Sequence, residues 1–117
     1  MKDLLQETND TFTMAAELGR LLDEHKGGNT VIMDLRKENF WTDFFIITTV
    51  MSGVHLSGLE RHIKEYAKEK GLGIKRSRKP DTEDEWCLID MGNIIIHLMS
   101  EKSRSFYELE RLWAFKP

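Results

Sequence analysis

The stretch WCLIDMGNIIIHLMSEKSRSFYELERLW, residues 86–113, runs a short apolar hairpin pattern straight into a helix that carries Phe106, Tyr107 and Trp113. It holds two of the three Trp and one of the two Tyr in the chain, with no catalytic motif beside them. That combination points to a surface that grips another macromolecule.

A tight turn at Met91-Gly92 would pair Asp90 with Asn93, Leu88 with Ile95 and Trp86 with His97. Successive strand residues face opposite ways, so this register sorts the side chains. Cys87, Ile89, Ile94, Ile96 and Leu98 share a wholly apolar face, which is expected to be core. Trp86, Leu88, Asp90, Asn93, Ile95 and His97 share the other, whose mixture of aromatic, carboxylate, imidazole and aliphatic groups suits a partly covered contact surface. Two-residue hairpin turns favour Asn-Gly or Gly-X, so Met91 at the first position leaves a bulge or longer loop open, which would move the pairs by one.

Ser100 then reads as an N-cap, with Glu101 in the first turn facing the positive end of the helix. Phe106, Leu109 and Trp113 follow the i, i+3, i+7 spacing of a buried stripe. Tyr107 is expected to face outward beside Arg104 and Arg111.

Upstream, residues 11–26 place Phe12, Ala15, Leu18 and Leu22 on one side of a helix that Gly27-Gly28 breaks. Residues 30–36 and 43–50 are rich in β-branched and aromatic residues around a polar turn at 37–39, and both read as strands. In the second, Phe45 and Ile47 oppose Phe44, Ile46 and Val50, so both faces want burial and the strand belongs inside the sheet. From Ser52, a second N-cap, the pattern changes to Leu56, Leu59, Ile63, Tyr66 and Ala67, with Gly71 as a stop. Residues 73–79 suggest a short polar strand before a loop on Pro80. The order helix, two strands, helix, three strands, helix predicts an α/β fold: a single layered domain over residues 1–117, with a mixed five-stranded sheet flanked by helices and one right-handed parallel crossover.

Composition narrows the function. At 117 residues, 40% hydrophobic and 32% charged, the chain has the make-up of one ordinary globular domain. No run approaches the roughly 20 apolar residues that span a bilayer, and the N-terminus lacks a signal-like stretch, so a cytoplasmic protein with no membrane contact is expected. Cys87 is the sole cysteine. It excludes an intramolecular disulfide and reads as a small core hydrophobe. A net charge of −3 and a pI near 5.8 disfavour binding driven mainly by phosphate neutralisation.

Other candidate sites are weaker. His55, His62 and His97 match no ligand spacing, so neither a metal nor another cofactor is expected. Asp90 lies at the far end of the hairpin from His97, which argues against a general-base pair. Lys75, Arg76, Arg78 and Lys79 make a basic run that could touch RNA phosphates. Asp81, Glu83, Asp84 and Glu85 follow at once, and a solvated edge strand that resists stray pairing explains the run as well. The turn Thr48-Thr49-Val50-Met51-Ser52-Gly53 meets a helix N-terminus, where anions can bind. Paired carboxylates for magnesium are missing from it.

Taken together, Asp43-Phe44-Phe45-Ile46-Ile47, Trp86-Cys87-Leu88-Ile89-Asp90, Gly92-Asn93-Ile94-Ile95-Ile96-His97 and the run from Arg104 to Trp113 resemble the ribosomal silencing factor family, RsfS or Iojap, over nearly the whole chain. The chain departs from the family pattern at Thr49-Val50-Met51-Ser52 and Val54-His55, and at Lys79-Pro80. The resemblance implies a nucleotidyltransferase-like topology without enzymatic activity. It also implies binding to the large ribosomal subunit through universal large-subunit protein fourteen, on the face that meets the small subunit, so that joining is blocked and translation repressed. By position, Trp86 and Tyr107 fall on the family's contact residues, with Asp90, His97 and Arg104 as expected rim or orienting residues. The alternatives are a nucleotidyltransferase-like enzyme and an RNA-binding ribosome-assembly module. Either a monomer or a homodimer fits the sequence.

Overall fold

The computed structural model describes residues 2–38, 41–78 and 86–109. Helix α1 spans Lys2–Glu24, starting earlier than the apolar stripe alone predicts. Leu, Gln and Glu are good helix formers, so the local sequence supports this longer helix. Ala15, Leu18 and Leu22 are buried as expected, but Phe12 is 53% exposed. It keeps an edge-to-face contact with Phe44, ring centroids 6.1 Å apart, and lies under the Arg36 guanidinium, 5.6 Å from its ring centroid. The helix ends in a Schellman arrangement: Lys26 takes the left-handed conformation at φ 71°, while Lys26 N–H donates to Asp23 O and Gly27 N–H to Leu22 O. Gly27 is therefore not the left-handed residue. A Cβ there would lie 2.4 Å from Thr48 Oγ1, so the glycine lets the helix end close onto the sheet.

Strands β1 (Gly28–Asp34) and β2 (Phe44–Val50) run antiparallel. Helix α2 (Gly53–Glu69) follows, capped by the Ser52 hydroxyl, which accepts the His55 N–H at 3.1 Å. Its inward face is Leu56, Leu59, Ile63, Tyr66 and Ala67, as the spacing predicts, with the stop at Gly71 in the left-handed region. Glu60 is buried as well, near Lys64 at 3.4 Å and Cys87 Sγ at 3.8 Å. Next come a three-residue strand β3 (Arg76–Arg78), β4 (Trp86–Asp90), β5 (Ile94–Ser100) and helix α3 (Glu101–Tyr107).

The sheet order is β1-β2-β5-β4-β3. Among the described residues only β2 and β5 pair in parallel, in register from Phe44 beside Ile94 to Val50 beside Ser100. Strand β2 lies inside the sheet with both faces covered, as expected, although β5 holds the middle position. One face carries Phe44, Ile46, Cys87, Ile89, Ile94, Ile96 and Leu98 against α1 and α2, and this is the main core. The opposite face gathers Phe45 and Ile95 with Leu35, Met33 and Leu88. Strand β3 forms one edge, and Lys79, Pro80 and the acidic residues 81 and 83–85 lie outside the described residues.

The hairpin corrects the expected register. Asp90 pairs with Ile95, Leu88 with His97 and Trp86 with Met99, two residues away from the Met91-Gly92 alignment. Met91 N–H donates to Ile94 O, so the two-residue turn is Gly92-Asn93. Gly92, at φ 91°, takes the first turn position, which favours glycine, and its N–H is held by the Asp90 carboxylate at 2.8 Å. Because the shift is two and not one, every residue that remains in a strand keeps the face assigned to it, and Asn93 alone of that set moves into the turn.

Replacing Gly92 with alanine puts a Cβ in a conformation that L-residues rarely adopt. Urea unfolding of Gly92→Ala should show a loss of about 1–2 kcal/mol with an unchanged m-value.

Candidate functional site: an aromatic surface over a buried histidine

Three elements bring the site together. Trp86 opens β4, His97 lies in β5 on the same face, and Tyr107 is the last residue of α3. The Trp86 and Tyr107 rings tilt against each other with centroids 4.7 Å apart, and Phe106 meets Tyr107 edge-on at 5.0 Å. Both distances suit aromatic contacts. Phe106 also lines a shallow cavity of about 160 Å³ with Lys102, Ser103 and Tyr107.

Here the structure corrects the sequence reading. Phe106 was expected in the core but is 78% exposed. Helix α3 stops at Tyr107, where Glu108 takes a left-handed conformation at φ 46° and its N–H donates to Arg104 O, so Phe106 and Leu109 do not share one unbroken helical turn. A glycine at that position would have announced the stop; glutamate does not. Trp113 and Arg111 lie outside the described residues. Tyr107 is 40% exposed and turned toward Trp86.

His97 sits beneath this surface. It is 4% exposed, edge-on to Phe45 at 4.9 Å, and its Nδ1 lies 3.3 Å from Trp86 Nε1. An indole nitrogen only donates, so Nδ1 must accept and the neutral ring carries its proton on Nε2. Nε2 is buried with no hydrogen-bond partner among the described residues. A donor left so costs on the order of 1–3 kcal/mol. Burial also pushes the imidazole down to about 4, which keeps it neutral. His97 thus lies behind the surface and not at its rim.

Arg104 and Asp90 act on the frame. Arg104 Nη1 donates to Gly28 O at 3.1 Å and to Thr49 Oγ1 at 2.9 Å, tying α3 to the ends of β1 and β2. Sequence spacing could not show this bond, because it joins residues 55 and 76 positions apart. Asp90 serves the turn, four residues from Trp86 and so about 13 Å along the strand. It is not brought to the aromatic surface.

The other sequence candidates are occupied by structure. In the β2–α2 turn, Met51 N–H donates to His55 Nδ1 at 3.0 Å, which leaves His55 Nε2–H to donate to His25 O at 2.9 Å. His25 and His62 stack face to face at 3.6 Å, so their ring planes cannot converge on one ion. No group of three metal-ligating side chains is present among the described residues. In the basic run, Lys75 is exposed, and Arg76 and Arg78 register with Asp90 and Leu88 at the β3 edge. No helix among the described residues is long and apolar enough to cross a membrane.

A mixed α/β sheet of this order defines a fold shared with a solved structure. The crystal structure of a Chromobacterium violaceum protein superposes with a TM-score of 0.78 at 25% identity, covering 90% of this chain and 88% of that one. The family model described as ribosomal silencing factor during starvation matches residues 7–117, and the chain belongs to that RsfS family. The ribosomal silencing factor RsfS of Treponema pallidum is 32% identical, with 85% of this chain and 88% of that protein covered. A mitochondrial Iojap-related protein of Arabidopsis thaliana is 31% identical over 84% of this chain, which spans 55% of that relative. The chain spans about half the length of its organellar relatives, which include a mouse protein named for mitochondrial assembly of the ribosomal large subunit.

The buried imidazole gives stability a pH dependence of known sign. As pH falls through about 6.5 the unfolded chain binds a proton that the folded protein refuses until about 4. Stability is therefore full above about 6.5 and falls progressively toward 4, by about 3 kcal/mol in total. Urea unfolding at pH 7, 5.5 and 4.5 should show a smaller acid loss in His97→Leu than in the wild type. Equal losses would contradict the burial of the ring.

Proposed function

We propose that this chain is a ribosome-associated repressor of translation, which binds the large ribosomal subunit through universal large-subunit protein fourteen and sterically blocks joining of the small subunit. The observation that carries the reading is the Trp86–Tyr107 pair, partly exposed and in mutual contact at 4.7 Å, in a chain of the RsfS family. Aromatic anchors of this kind dominate protein interfaces, where rim contacts add little. Trp86 and Tyr107 serve as the anchors, and Phe106 extends them. His97 and Arg104 orient the anchors from behind, and Asp90 holds the hairpin turn at the margin.

The proposed action is steric and needs no catalysis, metal or cofactor. Residues 1–117 act as one domain in the cytoplasm, as a monomer or a homodimer. The topology is read as nucleotidyltransferase-like, with Ser52, Gly53, Val54 and His55 where magnesium-binding carboxylates would stand. The β3 edge supplies at most a minor rRNA contact.

Truncating an interface anchor costs about 2 kcal/mol or more, roughly 30-fold in affinity. Trp86→Glu and Tyr107→Ala proteins with wild-type circular dichroism should lose co-sedimentation with large subunits by at least that factor. They should also fail to stop purified subunits from forming full ribosomes. Wild-type affinity in both variants would refute the surface, and binding to naked rRNA but not to the isolated ribosomal protein would refute the partner.

A further inference from the structure

The Trp86 indole N–H reaches its acceptor, among the described residues, at His97 Nδ1. That bond fixes which way the indole faces, because a flip about its outer torsion would carry the N–H away. The ring so held is the one that meets Tyr107.

Nothing in folding recommends an imidazole at this place. Its neighbours across the strands are Leu88 and Ile47, the rings in contact with it besides Trp86 include Phe45, and its second nitrogen is buried without a hydrogen-bond partner among the described residues. Leucine has nearly the same volume and would fill the space with no polar atom to desolvate. The group that distinguishes histidine from leucine here is the acceptor at Nδ1.

We propose that His97 is a positioning residue for partner binding: its neutral ring holds the Trp86 indole against Tyr107, so that the aromatic anchor is formed before the ribosomal partner arrives. This deepens the proposed function and rests on that reading of Trp86 and Tyr107. An anchor ordered in advance spares the complex the entropy lost when a free side chain is immobilised on docking. The proposal also separates two quantities that a packing role would move together. Removing the imidazole should strengthen the fold and weaken the binding.

The test uses the full chain labelled with nitrogen-15, the Trp86 indole resonance being assigned by its absence in Trp86→Phe. In His97→Leu the urea midpoint should rise, the indole proton should move upfield as its hydrogen bond is lost, and affinity for large subunits should fall about tenfold. In His97→Asn, whose Oδ1 can stand where Nδ1 stood, the resonance and most of the affinity should return. A His97→Leu protein that binds as the wild type does, or whose indole resonance stays in place, overturns the proposal. So does one that loses stability and affinity together without moving the resonance, since that is the behaviour of a packing residue. If Trp86→Glu also binds normally, the anchor reading fails, and the indole shift in His97→Leu still decides whether the histidine holds the ring.

Discussion

The parallel pairing of β2 with β5 is the constraint from which the rest of the molecule follows. It sets Val50 beside Ser100, so both strands deliver their chains to the same end of the sheet. Each exit is taken by a serine cap, Ser52 for α2 and Ser100 for α3, and both helices therefore begin at that end. Parallel neighbours need a long connection, here α2, β3 and β4. Strand β4 then falls on the far side of β5, with Trp86 beside Met99 at the end where α3 begins. The aromatic surface is thus fixed by sheet topology before any aromatic contact is made.

Alternation along the strands divides the work between two faces. Cys87 is buried against Glu60 of α2 while its neighbour Trp86 is partly exposed, and Ile96 is core while His97 backs the site. A one-residue slip would exchange these roles, and a slip of two exchanges none. This is why the faces were legible in the sequence although the turn was placed one residue early. The hydrophobic period fixed the faces, whereas the turn depended on Gly92 taking the first position and on the Asp90 carboxylate holding its N–H.

Legibility ran out where a backbone conformation had no residue to announce it. The helices, the four longer strands and both serine caps were readable because period and capping chemistry are local. The left-handed turns at Lys26 and Glu108 were not, since neither is the glycine that usually marks them. Phe106, expected in the core, lies at the surface just before the second of these. Trp86 and Tyr107 were found by composition and by family resemblance, but the depth of His97 required the register, and the Arg104 bonds required the fold.

Helix α3 could not hold its place alone. Seven residues are well short of the roughly 12 at which an isolated helix becomes even marginally stable in water. Its position comes from outside: the Ser100 cap at one end, the Glu108 bond to Arg104 O at the other, and between them the Arg104 side chain bonded to Gly28 O and Thr49 Oγ1. Tyr107 therefore takes its rigidity from the β1 and β2 ends, just as Trp86 takes its orientation from β5 through His97. Two residues on different elements are held at 4.7 Å, and both elements are tied back to the same sheet.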